Sequence, residues 1–189
     1  MHGLVNRSIE SFLRHTYGNE TWGEIADQAG IDRAGFEAMM VYDDAVTNDL
    51  LRAAAIRLDR PVEAIAEDVG AYLVGYEPLR RLLRFGGVEY IDFLLSLDEL
   101  PDRAHLAVPD LDMPDLEISG GENGHFELCC KPDRFGFSSM LAGLVRAMAD
   151  DYGALALIEC AGGGRVTIDL LDERHARGRA FDLTKGGAV

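Results

Sequence analysis

The residues of this chain that could take part in chemistry do not form a recognised catalytic motif. The sequence has no Gly-rich phosphate loop, no His-Glu-x-x-His zinc motif and no Gly-x-Ser-x-Gly nucleophile motif. The run Gly162-Gly163-Gly164 precedes a strand-like segment instead of a helix, which indicates a hairpin turn and not an anion-binding loop. We therefore expect the chain not to be an enzyme.

Cysteine and histidine, which often ligate metals, do not occur here at metal-binding spacing. Cys129, Cys130 and Cys160 form no Cys-x-x-Cys pair, and the first two would point to opposite faces of a strand. We expect all three to be reduced and buried as small hydrophobic residues. Four further residues lack a partner at metal spacing and are expected at the surface: His2, His15, His125 and His175.

The charge of the chain narrows the range of its partners. Its 189 residues include 18 Lys and Arg against 33 Asp and Glu, which gives a formal net charge of −15. Such a field repels nucleic acid and anionic membrane surfaces, so neither is expected as a partner. No apolar run approaches the roughly 20 residues that span a bilayer, and the first residues lack a secretory signal pattern. The expected location is the cytoplasm.

The first hundred residues have the apolar spacing of successive helices. Glycine and proline positions and capping patterns divide this region into separate helices. The predicted helices are, in chain order, 4–17 before Gly18, 21–30 opened by a capping box, one capped by Thr47, one with Pro61 in its first turn, 78–85 and 88–100.

After residue 100 the pattern changes from helices to strands. Pro101 and Pro114 interrupt the chain, and two apolar segments around a Gly-Gly-Glu-Asn-Gly turn then predict a β-hairpin. A helix capped by Ser138 follows, and two strands flank the glycine run. Phe181-Asp182-Leu183 is expected to close the edge of the sheet. The order of elements predicts an α+β fold with a roughly four-stranded antiparallel sheet.

Short motifs spread over nearly the whole chain resemble those of one family. Residues 1–7, Met-His-Gly-Leu-Val-Asn-Arg, are similar to the start of the heme-nitric oxide/oxygen-binding (H-NOX) family. Residues 93–100, Phe-Leu-Leu-Ser-Leu-Asp-Glu-Leu, resemble the segment that leads to the heme ligand of that family. Further matches are Ile9-Glu10, Tyr17-Gly18, Trp22, Phe36, Tyr42-Asp43, Gly70, Tyr72, Gly75-Tyr76 and Gly143-Leu144-Val145.

The resemblance implies a single domain over residues 1–189, with a distal helical lobe at 1–60 and a proximal α/β lobe at 61–189. In the family, an axial His after the Leu-Asp-x-Leu segment bonds the iron of heme b. A Tyr-x-Ser-x-Arg motif holds the heme propionates by charge-assisted hydrogen bonds. Nitric oxide or oxygen binds on the distal side, between apolar helices.

The chain departs from the family at the iron ligand. The ligand position falls on Pro101, and proline cannot ligate iron. His105 lies four residues further on, one helical turn away, and becomes the candidate ligand if Pro101 starts a new helix. The alternative is a surface histidine unconnected to any cofactor. Cys130, as a thiolate, is a further candidate.

Other residues are expected around the cofactor. The propionate motif is replaced here by Cys130-Lys131-Pro132-Asp133-Arg134, so only its arginine is retained. Arg134 either binds a ligand carboxylate or pairs with an acid such as Asp43. Pro114 falls on a proline of the family. The residues that either wall the cofactor pocket or form ordinary core are Val5, Ile9, Leu73, Tyr76, Leu97 and Met113.

Two functions are compatible with this pattern. The resemblance implies a stand-alone sensor in which heme binds nitric oxide or another diatomic gas and the lobes pivot. Its implied partner is a separate histidine kinase or cyclic-dinucleotide signalling enzyme. The alternative is a heme-free module of the same fold that binds another apolar ligand or docks a protein. A Soret absorption band separates the two hypotheses.

Overall fold

The computed structural model describes residues 1–179 and has the predicted α+β fold. Its first half is helical, and its second half adds a four-stranded sheet and one more long helix. None of the helices in the described part of the chain is long and apolar enough to cross a bilayer. The elements are α1 (Gly3–Ala29), α2 (Asp44–Leu58), α3 (Val62–Val74), α4 (Glu77–Arg84), α5 (Tyr90–Leu95), α6 (Leu100–Ala107), β1 (Asp115–Gly120), β2 (His125–Lys131), α7 (Phe137–Tyr152), β3 (Leu155–Gly162) and β4 (Arg165–Asp172).

Helix α1 contains both of the helices predicted for its residues. Gly18 has φ 87° and ψ 165°, outside the helical region, and bends the element without ending it. Because glycine has no Cβ, it adopts this positive φ without the steric penalty of other residues. The predicted break at Gly18 is therefore a kink, and the helix ends at Gly30 as expected.

One short α-helix and a 3-10 turn occupy the region where the spacing predicts a single helix over 88–100, and a second short α-helix begins at its end. A 3-10 turn at Leu97–Glu99 follows α5, and Pro101 lies in the first turn of α6. Proline is favoured there because the first N–H groups of a helix have no intrahelical acceptor. Pro101 thus starts a new helix, which is the condition that the sequence set for His105 as a ligand.

The sheet has the strand order β1-β2-β4-β3, and every neighbouring pair is antiparallel. The glycine run joins β3 to β4, as predicted. Phe126 and Leu128 alternate with less buried residues along β2 and pack in the same core as α7. The strand predicted at Phe181-Asp182-Leu183 lies outside the described residues.

The helix caps differ from those that the sequence assigned to hydroxyl residues. Ser138 lies inside α7, and the Asp133 carboxylate accepts hydrogen bonds from its backbone N–H at 2.9 Å and its hydroxyl at 2.7 Å. Thr47 lies inside α2, whose cap is Asp43. Pro61 is the cap residue of α3 and not part of its first turn. The N-cap residue of α7 is Gly136, and Asp133 accepts its two hydrogen bonds from a residue in the first turn of the helix.

Helix α3 connects two hydrophobic cores. The N-terminal core is formed by α1, α2 and the first part of α3, with Trp22 and Leu50 fully buried in it. The C-terminal core is formed by α5, α7 and one face of the sheet, and includes Phe93 and Val145. Because α3 contributes to both cores, a movement of one core against the other has to involve this helix.

Helices α3 and α7 cross closely at two glycines. A Cβ atom at Gly70 would lie 1.9 Å from the backbone oxygen of Met140, and one at Gly143 would lie 1.9 Å from the backbone oxygen of Glu67. No side chain larger than hydrogen fits at either position unless the helices move apart. The crossing therefore fixes the distance between the two helices beside the cavity described below.

Candidate ligand cavity

A cavity of about 530 Å³ lies between α1 on one side and α4, α6 and α7 on the other. This volume is in the range of small-molecule sites, roughly 300–1,000 Å³. The wall is mostly aliphatic and aromatic, and charged residues such as Asp44, Arg81 and Arg134 are few. The arrangement is typical of a site for a largely apolar ligand with a small number of charged contacts.

Helix α6 contributes a hydrocarbon wall to the cavity. Leu100, Ala104 and Ala107 line the cavity at spacings of four and three residues, which place side chains on one helix face. Val108 and Leu111 continue this surface after the helix ends. We call these five residues the α6 wall. Its side chains carry no atom that can ligate a metal.

His105 and Pro101 lie on the adjacent face of α6. Each follows a wall residue by one position, a rotation of about 100° around the helix. Both line a shallow groove of about 370 Å³ that shares only Leu111, Asp112 and Met113 with the cavity. His105 is exposed there. Its role as an iron ligand stays a prediction, and this geometry does not support it.

The other predicted site residues divide into two groups. Four of them line the cavity together with Tyr76 and Met113: Val5, Leu73, Pro114 and Arg134. Three are instead at most 1% exposed and belong to the cores, outside the cavity lining: Ile9, Leu97 and Cys130. For these three, the structure favours the ordinary-core interpretation over contact with a cofactor.

Asp44 and Arg134 form an ion pair at the solvent-exposed edge of the cavity, which we call its mouth. The pair joins an element of the N-terminal core to one of the C-terminal core. Nη1 of Arg134 lies 3.7 Å from Oδ2 of Asp44, whose Oδ1 accepts a hydrogen bond of 2.7 Å from the Met1 ammonium. These groups hold the pKa of Asp44 below its ordinary value, first through the Met1 hydrogen bond and then through the charge of Arg134. Asp43, the expected partner of Arg134, instead caps α2 through the N–H of Ala45. The pair therefore links the start of α2 to the loop before α7.

The three cysteines are free thiols in different environments. Cys130 is buried as predicted, and burial followed by the charge of Asp133 raises the pKa of its thiol to about 12. A raised pKa favours the protonated thiol at neutral pH, so the role of Cys130 as a thiolate ligand of iron stays a prediction that this environment does not support. Cys129 is half-buried on the opposite face of β2. The prediction of burial is wrong for Cys160, which is exposed because it lies near the end of the edge strand β3.

Of the histidines predicted at the surface, His2 is buried. Its Nδ1 accepts a hydrogen bond of 3.2 Å from the N–H of Leu4 and caps α1, which is a local structural role. His15, His125 and His175 are exposed, as predicted. Across residues 1–179, no group of three His, Cys, Asp or Glu side chains is arranged to hold a metal ion.

Heme is the cofactor that the resemblance implies, and the cavity fits it only in part. The apolar wall suits a porphyrin, and Arg134 suits one propionate. Heme iron takes His, Cys, Tyr or a Met paired with His. Among the described lining residues there is no imidazole or thiol, and Tyr76 is 63% exposed. The donor set therefore does not fit an iron-ligated heme.

Sequence reasoning missed several residues of the cavity. Ala104 is only 6% exposed, and its distance of four residues from Leu100 was the available signal. Phe135 lines the cavity beside Arg134 with φ 57°, a conformation that non-glycine residues seldom adopt and that no sequence pattern predicts. Met140 faces the cavity from α7 at the glycine crossing.

Known relatives match most of this chain. A family model described as Haem-NO-binding matches residues 2–160. The soluble guanylate cyclase gcy-31 of Caenorhabditis elegans is 24% identical over 179 residues, covering 93% of this chain and 24% of that protein. The soluble guanylate cyclase 89Db of Drosophila melanogaster is 20% identical over 161 residues, covering 82% of this chain and 24% of that protein. The chain thus spans about a quarter of the length of these relatives.

Solved H-NOX structures have the same fold. The Fe(II) unliganded H-NOX protein from K. algicida has a TM-score of 0.77 at 14% sequence identity, covering 94% of this chain and 100% of that chain. The H-NOX protein from S. oneidensis in the Fe(II)NO ligation state has a TM-score of 0.75 at 15% identity, covering 91% of this chain and 100% of that chain. Identities this low support the fold alone, and the match of the family model over residues 2–160 shows that the chain belongs to the Haem-NO-binding (H-NOX) family.

Proposed function

We propose that this H-NOX domain is a sensor in which a ligand bound in the cavity changes the arrangement of the two cores, and a separate protein detects the change. The observation that supports the proposal is the position of the cavity. Its wall includes α1 on one side and α4, α6 and α7 on the other, and Asp44 and Arg134 meet at its mouth. A ligand at this position contacts both cores, so its binding energy can favour one arrangement over another.

The proposal assigns ligand binding, and not catalysis, to this domain. General acid–base and nucleophilic catalysis require several convergent polar groups around the reacting atoms. The α6 wall provides only hydrocarbon, and its neighbours Leu73, Met140 and Leu144 are apolar as well. The relatives named as guanylate cyclases are about four times as long as the matched region, and we do not propose cyclase activity for this chain.

Two ligand classes are candidates within this proposal. Family membership supports heme b, with nitric oxide or another diatomic gas as the signal. His105 is then the candidate axial ligand, and α6 would have to rotate by about 100° to bring it into the cavity. The α6 wall supports the alternative, a heme-free domain whose cavity holds another apolar ligand.

A signalling enzyme is the proposed partner. The resemblance favours a separate histidine kinase or an enzyme of cyclic-dinucleotide metabolism. The net charge of −15 supports a partner with a basic contact surface and disfavours nucleic acid and anionic membranes.

An absorption spectrum separates the two ligand classes. The protein is expressed with added heme precursor, purified, reduced and exposed to nitric oxide. A Soret band that shifts with nitric oxide and is lost in His105→Ala supports heme-based sensing. A protein without a Soret band after hemin titration supports the heme-free alternative. If bound ligand leaves hydrogen exchange in α1, α3 and α7 unchanged, the sensor proposal itself is overturned.

A further inference from the structure

We infer that the cavity binds a long-chain fatty acid without any metal, with the hydrocarbon chain along the α6 wall and the carboxylate at Arg134. The inference rests on the proposed sensor function and names the class of ligand. It combines the chemistry of the wall, the charge at the mouth and the connection of that charge to both cores.

The α6 wall is suited to hydrocarbon and not to iron. Leu100 and Ala104 are at most 6% exposed and turn only aliphatic atoms toward the cavity. The histidine of this helix points into the neighbouring groove. A hydrocarbon chain needs no donor atom from this wall, since each methylene removed from water strengthens binding by roughly fourfold.

The mouth of the cavity can bind one carboxylate. The Arg134 side chain is 57% exposed, and its 3.7 Å separation from Asp44 is too long for a hydrogen bond. The guanidinium therefore retains the geometry to bind a ligand carboxylate through two parallel N–H donors. The other two positions of the expected propionate motif are occupied by Cys130, which is buried in the core, and Pro132, which has no N–H. Arg81, the other arginine of the lining, is paired with Glu77 at 3.3 Å, so the one arginine kept from the motif suits a monocarboxylate better than the two propionates of a heme.

The ligand carboxylate would compete directly with a carboxylate of the protein. Asp44 starts α2, which packs in the N-terminal core, and Arg134 lies in the loop that leads to α7. A ligand acid that takes over Arg134 replaces the contact between these two elements. Binding of the ligand is thereby coupled to the association of the two cores at the mouth of the cavity.

Calorimetric titration of the delipidated full chain with sodium oleate, below its micellar concentration, tests the inference. We expect saturable one-to-one binding in the micromolar range and weaker binding of oleyl alcohol, which lacks the carboxylate. Arg134→Gln is expected to weaken oleate binding by roughly tenfold and to leave oleyl alcohol unaffected. Hemin and metal-free protoporphyrin IX are titrated in parallel.

A matched pair of substitutions on α6 locates the bound chain. Ala104→Phe fills the cavity and is expected to weaken oleate binding by at least tenfold, whereas His105→Phe changes the adjacent exposed position and should bind as the unmodified protein does. Leu73→Phe repeats the test from α3 if Ala104→Phe does not fold, as judged by circular dichroism.

The competing outcomes separate this inference from the sensor proposal. Hemin or protoporphyrin that binds more tightly than oleate and is not displaced by it overturns the fatty-acid inference and leaves a sensor of another ligand. Oleate binding that is as strong in Ala104→Phe and Leu73→Phe as in the unmodified protein is non-specific and also overturns the inference. If none of these ligands binds, the fatty-acid inference is overturned, whereas the sensor proposal is decided by the hydrogen-exchange measurement described above.

Discussion

The α6 wall and the mouth of the cavity differ in what they keep of the chemistry expected for an H-NOX domain. The mouth retains Arg134, which can hold a carboxylate, in an ion pair across the two cores. The α6 wall has hydrocarbon side chains where an iron ligand would be required, and His105 lies about 100° away around the helix. The proposed carboxylate contact at Arg134 and the predicted iron ligand His105 thus lie on separate elements, so the fold can keep one without the other.

A histidine placed on the α6 wall should have the largest effect on this comparison. In Ala104→His the imidazole occupies a position that lines the cavity, so we expect hemin affinity to rise by roughly a hundredfold through the added iron–nitrogen bond. The measurement is a hemin titration followed at the Soret band. Leu106→His, at a position that is 84% exposed, is the control. An equal gain in the control would show that hemin binds outside the cavity.

The glycine crossing that holds the walls in place should be the next most sensitive feature. We expect Gly70→Ala and Gly143→Ala each to lower the free energy of unfolding by about 1–3 kcal/mol, because the added Cβ overlaps a backbone oxygen of the facing helix. Urea denaturation measures the change.

Gly23→Ala provides the matched control for the crossing. The nearest atom to its Cβ would be 3.4 Å away in the flexible Arg33 side chain, so the better helix propensity of alanine should raise stability by up to about 1 kcal/mol. If all three alanine variants unfold at the same urea concentration, the crossing does not constrain the helices as described.

Removal of the protein's own carboxylate at the mouth should have a smaller effect. Asp44→Asn leaves Arg134 without its charged partner, so we expect oleate to bind up to about fivefold more tightly, as exposed ion pairs are weak. Calorimetry measures the oleate affinity of this variant. The control is Asp43→Asn, which alters the adjacent residue but retains a good helix cap. Identical oleate affinity in the two variants would remove Asp44 as a competitor of the ligand.

The pH dependence of Asp44, whose pKa is lowered mainly by the hydrogen bond from the Met1 ammonium and less by the charge of Arg134, should give the smallest effect. The pKa of Asp44 is below its ordinary value of 3.8 in the folded protein, so its stabilising contribution is present above that value and is lost as the pH falls through the folded pKa. We expect the thermal midpoint of the unmodified protein to exceed that of Asp44→Asn near neutral pH and to converge with it in acid below pH 3.8. A constant difference down to pH 2 would contradict the assignment.

The parts of the fold that depend on local periodicity were predictable from the sequence. Helical spacing, the glycine turn between β3 and β4, and the opposite orientation of Cys129 and Cys130 all follow from repeats of a few residues. The kink at Gly18 was not predictable, because a glycine that ends a helix and one that bends it have the same local sequence. Packing around Trp22 keeps both halves of α1 together.

Residue type alone distinguished only Pro114 and Arg134 among the lining residues that the sequence singled out. Val5, Leu73, Pro114 and Arg134 line the cavity, and their contact with a cofactor stays a prediction. Ile9 and other apolar candidates do not line it, since apolar side chains serve a core and a ligand cavity equally well. Spacing along the chain cannot decide which apolar residues face an internal space and which face each other.

The sequence by itself determined the α+β class, the H-NOX resemblance and the position of the one arginine kept from the propionate motif, because these depend on residue types and on short-range order. Only the tertiary structure decided which face of α6 meets the cavity. Leu100 and Ala104 face inward and His105 faces outward because apolar side chains are removed from water while a polar imidazole stays hydrated at the surface. That rotation of a single helix determines what the cavity wall offers to a ligand.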